Sequence, residues 1–219
     1  MTQREKDMRA EKELAKFLDE HLYYELLKEG RFVSFERVTD LTSQKQGIDV
    51  IGRTENAIAY IDEKAQLHYI NQSLPTFAFE LEFLWQGKAM KGWFLNDSLR
   101  TTHYLLLWPN ATETDLSLIT SDDFTTVEGM MISKEKLRNY LDGIGLTDDL
   151  LLEATTLLHQ QGVSGPRKTA YDGIKFYMSP STTYSENPIN IVINKRILTS
   201  LADAHYLISR QGFRRKHKS

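Results

Sequence analysis

With 219 residues, 41% of them hydrophobic, the chain is long enough to bury one well-cored domain with a modest extension. It has no cysteine, which excludes disulfide frameworks, thiolate zinc sites and cysteine nucleophiles. Net charge is −3, no segment approaches the roughly 18 apolar residues of a membrane span, and the charged start MTQREKDMRAEKELAK has no signal-peptide core, so a cytoplasmic location is expected.

Residues 3 to about 29 are predicted to be helical, because Leu14, Ala15, Leu18, Leu22 and Leu26 recur at helical spacing and Gly30 follows as a stop. Glu11 falls in register with Leu14, Ala15, Leu18 and Leu22, which places it on the apolar stripe; favourable interaction with the helix dipole is its plainer explanation. Arg31 to Thr39 alternates as a strand does, and Asp40 to Gln46 is a polar connection.

The stretch Gln46 to Gln66, QGIDVIGRTENAIAYIDEKAQ, holds two short apolar runs that carry charge where a buried strand should not. Gly52 to Asn56 has the Gly and Asn of a hairpin turn. Strand side chains alternate faces, so Tyr60, Asp62, Lys64 and Gln66 share one face while Ile61, Glu63 and Ala65 share the other. If the runs pair, Asp49 comes beside Asp62 with Lys64 one step along. Two carboxylates suit a hard dication such as Mg2+, and a nearby ammonium can serve an attacking water or developing phosphorane charge. A cross-strand ion network on a wet face is the competing explanation, contributing about 0.2–1 kcal/mol per pair.

This arrangement resembles the PD-(D/E)xK nuclease superfamily, whose motif is an Asp opening one strand and then Asp or Glu, any residue, and Lys on the next. The match is Asp49 followed by Asp62-Glu63-Lys64; the proline that usually precedes the first Asp is Ile48 here. The resemblance covers residues 5–110 or so and implies an α+β fold with a restriction-endonuclease-like core, a mixed central sheet flanked by helices. It implies a Mg2+-dependent DNA endo- or exonuclease, with Mn2+ able to substitute. Asp49, Asp62 and the main-chain carbonyl of Glu63 would hold metal, Lys64 would orient and help activate water, and Gln66 would lie near the scissile phosphate. Glu11 matches the first-helix glutamate that reaches the metal cluster. The alternative is an inactive nuclease-like fold that binds nucleic acid or protein; a homodimer is compatible with either.

Further along, Phe77 to Trp85 alternates as a half-buried strand with Phe77, Phe79, Leu81, Phe83 and Trp85 inward, Gly87 to Lys91 resembles a turn, and Gly92 to Asn96 a returning strand. Thr101 to Trp108 reads as a buried strand closed by Pro109, and Thr112 to Asp123 as a loop with room for one strand. Helices are expected from Ser133 to Gly143, from Thr147 to Gly162 and from Arg196 to Arg210, with a loop at Gly162 to Arg167 and strands at Tyr171–Met178 and Ile189–Ile193. The expected organisation is a single domain: a core over about 5–110, an extension over about 111–209, and a solvated basic tail, 210–219, that could contact phosphates.

Overall fold

The computed structural model describes residues 1–162, 164–179 and 187–216. The chain is α+β and divides into two compact units. Residues 1–74, 101–134 and the segment from Ala202 form the first, and residues 75–100 and 135–201 the second. No helix among the described residues is long and apolar enough to cross a membrane.

The first unit opens with α1 (Gln3–Leu18), capped by Thr2: its hydroxyl accepts from the Glu5 N–H while the Glu5 carboxylate accepts from the Thr2 N–H. One turn of π-helix (Asp19–Tyr23) leads into α2 (Tyr24–Lys28), and Gly30, at φ +67°, stops the run as predicted. Strand β1 (Ser34–Arg37), a short helix α3 (Leu41–Gln44), β2 (Val50–Arg53) and β3 (Ile58–Ala65) follow. Strands β4 (Thr76–Trp85) and β5 (Lys88–Lys91) belong to the second unit, β6 (His103–Ala111) and β7 (Phe124–Ser133) to the first. Helices α4 (Lys134–Gly143) and α5 (Asp148–Gln161), strands β8 (Gly165–Lys168), β9 (Ile174–Met178) and β10 (Ile189–Asn194), and α6 (Lys195–Leu201) come next. The last two strands, β11 (Ala204–Ser209) and β12 (Gly212–Arg215), return to the first unit.

Seven strands form the sheet of the first unit, in the order β1-β2-β3-β6-β7-β11-β12. Only β3 and β6 run parallel, so the sheet is mixed, as expected. The helical run lies on one face, where Leu14, Phe17, Leu18, Leu22 and Leu26 form a common core with Ile61, Leu105, Leu107, Val127 and Ile208. Burial of each such side chain contributes about 1.5–3 kcal/mol. The stripe begins at Ala10, not Glu11; Glu11 is exposed.

Several segments depart from expectation for identifiable reasons. Strand β6 does not close at Pro109 but runs through it. The Pro109 carbonyl accepts from the Asn71 N–H, so its nitrogen also faces away from the β7 ladder and no ladder bond is lost. Phe124–Ser133, to which the sequence assigns no element before Ser133, is a ten-residue strand inside the sheet, between β6 and β11. The helix expected over 196–210 ends at Leu201; Tyr206 and Ile208 alternate inward on β11 because β7 and β12 pair with it on either side. The expected solvated tail contains strand β12, and its last three positions, 217–219, lie outside the described residues.

The second unit has an all-antiparallel sheet, β5-β4-β10-β9-β8, with α5 against β4 and α6 against β10. Its edge strand β8 occupies residues expected to be loop and carries Pro166, which an edge tolerates. Strand β4 holds a bulge: Ile189 faces Glu82 and Asn190 faces Glu80, so Leu81 is the extra residue. The bulge reverses the alternation. Glu82 turns inward and pairs with His159 at 3.0 Å, while Trp85, expected inside, is 54% exposed. The returning strand is Lys88–Lys91, and 92–96 is a turn held against β4. A Cβ on Gly92 would lie 2.5 Å from the Glu80 carbonyl oxygen, a backbone atom that cannot swing away. Gly92→Ala is therefore expected to cost about 1–3 kcal/mol, read as a lower urea midpoint at unchanged slope.

Candidate functional site

The site lies where β2 ends beside β3. Asp49 precedes the first strand residue; its N–H donates to the Ile61 carbonyl at 2.9 Å and its carbonyl accepts from the Val38 N–H at 2.8 Å. Val50 faces Ile61, so one step further along the same register Asp49 stands opposite Asp62, with its side chain on the same face. At this point β2 no longer supplies a carbonyl for Glu63, and the Glu63 N–H donates to Asp49 Oδ2 at 2.7 Å. A carboxylate thus replaces the ladder.

Asp62 is 2% exposed. Its Oδ1 accepts from Lys64 Nζ at 2.6 Å, and among the described residues its buried Oδ2 has no hydrogen-bond partner. Lys64 keeps 30% of its side-chain surface open to solvent, so the pair is buried on the carboxylate side only. Burial, and then the Asp62 carboxylate beside it, push the Asp49 carboxyl up to about 6, against the opposing pull of Lys64. Burial works against the charge on Lys64, but Asp62 and Asp49 outweigh it and raise its pKa, so it remains an ammonium.

Glu11, on α1, is coupled to this cluster through its charge alone, with no hydrogen bond or ion pair to it among the described residues. Partial desolvation raises its carboxyl pKa, Lys64 lowers it and Asp49 raises it, which places all three charges in one field although Glu11 itself is exposed. Gln66 follows the last residue of β3, its N–H on the Leu107 carbonyl at 3.0 Å and its carbonyl accepting from the Tyr69 N–H. The Glu63 side chain points to the other face, as the alternation predicts.

On that face lies a network no motif announces. Arg37 Nε donates to both oxygens of Asp19, at 2.8 and 2.9 Å, and its Nη2 reaches Asp19 Oδ1 at 2.7 Å. Its Nη1 and Nη2 donate to Glu63 Oε2 and Oε1 at 2.8 and 3.1 Å. The Tyr23 hydroxyl donates to Glu63 Oε1 at 2.8 Å, and the guanidinium lies 5.7 Å from the Tyr23 ring centre. Burial opposes the charge on Arg37, but Glu63 and Asp19 keep its pKa raised; burial and then Glu63 raise that of Tyr23. The available signal was Glu63 itself: a charge on the core side of a buried strand requires a partner.

The donors suit a hard dication. Asp49 and Asp62 are adjacent carboxylates, Asp62 buried and Asp49 half-buried, and Mg2+ typically takes one or two protein carboxylates and keeps several waters. A strand residue directs its N–H and C=O to the same side, so the Glu63 carbonyl also faces the Asp49 edge. Among the described residues no three or more His, Cys, Asp or Glu side chains form a group able to hold a metal, so a dication here would also need that carbonyl and water. Comparison with protein-family models, with curated proteins and with solved structures gives no match.

Proposed function

We propose that the protein is a divalent-metal-dependent nuclease that hydrolyses phosphodiester bonds in DNA, acting in the cytoplasm, with Mg2+ or Mn2+ as its cofactor. One observation carries this reading: Asp62 is almost fully buried, one oxygen bonded to Lys64, and stands within hydrogen-bonding reach of a second, partly desolvated carboxylate whose ionisation it disfavours. Two carboxylates crowded into one desolvated spot repel when ionised, and a dication held between them would relieve that repulsion. Asp49, Asp62 and the Glu63 carbonyl would hold the ion. When bound, Mg2+ would polarise the scissile phosphate and lower the pKa of a coordinated water. Lys64 stays protonated, so it donates a hydrogen bond to the water or to a non-bridging phosphate oxygen and does not take up the proton. Glu11, coupled to the cluster through its charge, and Gln66, which follows Lys64 by two positions, would assist from its margins.

The test is cleavage of plasmid and linear DNA with Mg2+ or Mn2+, together with calorimetric Mn2+ titration of the wild type and Asp62→Asn. The expected result is metal-dependent cutting and Mn2+ binding, both lost in the variant. The second reading, a nuclease-like fold that binds nucleic acid or protein without cutting, is favoured by the lack of a three-residue metal group among the described residues. It expects no Mn2+ heat that depends on Asp62.

A further inference from the structure

We infer that Arg37 is a positioning residue for the Asp49–Asp62–Lys64 site: with Asp19 and Tyr23 it clamps the Glu63 side chain from the helix face and so sets the carboxylates and ammonium on the opposite face. The inference rests on the nuclease reading above.

Glu63 lies between Asp62 and Lys64, and its own N–H is the group that holds Asp49 Oδ2. Because neighbouring strand residues point to opposite faces, anchoring the Glu63 side chain sets the pleat that aims both of its neighbours. The anchor is two-pronged, since both terminal guanidinium nitrogens engage the Glu63 carboxylate. Arg37 acts a second time through the backbone. It is the residue paired with Val50, and the next residue, Val38, donates its N–H to the Asp49 carbonyl at 2.8 Å. One short segment therefore holds Asp49 from one side and Glu63 from the other.

The helix participates through its irregular turn. The π-helical segment Asp19–Tyr23 carries both the Asp19 carboxylate and the Tyr23 hydroxyl to the network, and Arg37 Nη2 also approaches the Ala15 carbonyl at 3.4 Å. Single π turns inside α-helices are frequent at functional sites. Joining helix to sheet needs no charge here, because the surrounding core already does so with apolar side chains. A planar fork between two carboxylates adds direction, which a metal site requires of its outer partners.

Arg37→Lys keeps the charge and removes the fork. The expected result is a folded protein whose kcat for DNA cleavage falls about 10–100-fold with KM for DNA within about threefold, and whose Mn2+ affinity falls by a similar factor. A merely structural role would lower the melting temperature and leave the kcat of the folded fraction and the Mn2+ affinity unchanged; that outcome overturns the inference. The quadruple variant Asp19→Leu, Tyr23→Phe, Arg37→Met, Glu63→Leu replaces the whole network with apolar volume, a change that often leaves stability intact. It is expected to lose activity all the same, and wild-type cleavage by a folded quadruple variant would also refute the positioning role. If the wild type neither binds Mn2+ nor cuts, the nuclease reading itself falls and this inference with it. Wild-type activity with unaffected Arg37→Lys removes the inference alone.

Discussion

Lys64→Met is expected to lower the single-turnover rate of DNA cleavage by about 10^3-fold, the scale on which removing one preorganised donor acts. Methionine has similar length and apolar stem, so the change removes the ammonium and little else. The ammonium sits 2.6 Å from Asp62 Oδ1 and its charge also lowers the pKa of Asp49. Its loss has two opposite consequences. Cleavage suffers because nothing positively charged remains beside the metal to meet the phosphate or the water. Mn2+ binding is retained or strengthened, because the carboxylates no longer share their charge with a resident cation. Cleavage assays and calorimetry on the same preparation separate the two, at a temperature where both proteins are folded. Cutting within about threefold of wild type would remove Lys64 from the mechanism.

The second large effect is on stability. In the metal-free protein Asp49→Asn is expected to raise the melting temperature at pH 7.5 by about 2–6 °C. The folded-state carboxyl lies at about 6, above the ordinary 3.8, so the folded protein binds this proton more tightly than the unfolded chain does. The stability it contributes is present below about pH 4 and is lost as pH rises towards 6. Above that the full penalty persists, with a ceiling of about 3 kcal/mol at roughly 1.4 kcal/mol per pH unit. Solvent access on the Lys64 side reduces it to about 1–2 kcal/mol. Asparagine carries no charge and can still accept from the Glu63 N–H. The two melting curves should converge near pH 4 and separate by pH 6. Adding Mn2+ should raise the wild-type melting temperature and leave that of the variant unchanged. A variant less stable than wild type at every pH would show that Asp49 is a structural partner and not a strained ligand. Active sites commonly hold this kind of unfavourable charge, which binding a ligand relieves.

Much of the site was legible along the chain because its geometry is local. Period-two alternation put Asp62 and Lys64 on one face of β3 and Glu63 on the other, and a turn between two apolar runs brought Asp49 back beside them. Helical spacing located the first helix and Gly30 its end. Glu11 shows the limit of such counting: it satisfies the spacing of the stripe, yet Ala10 heads the buried row and Glu11 stays exposed.

Sequence alone therefore determined which residues could meet, since turn chemistry and side-chain periodicity are set by near neighbours in the chain. The tertiary structure decided what each of them meets. Arg37 joins Asp19 and Glu63 across 18 and 26 positions, and the ends of β2 and β3 let a carboxylate take the place of a ladder carbonyl at Glu63. It likewise turned the predicted helix end at 204–209 into a strand and, through one extra residue at Leu81, sent Glu82 inward. Those outcomes depend on register against distant strands, and burying an unpaired backbone or charge costs more than local propensity can offset.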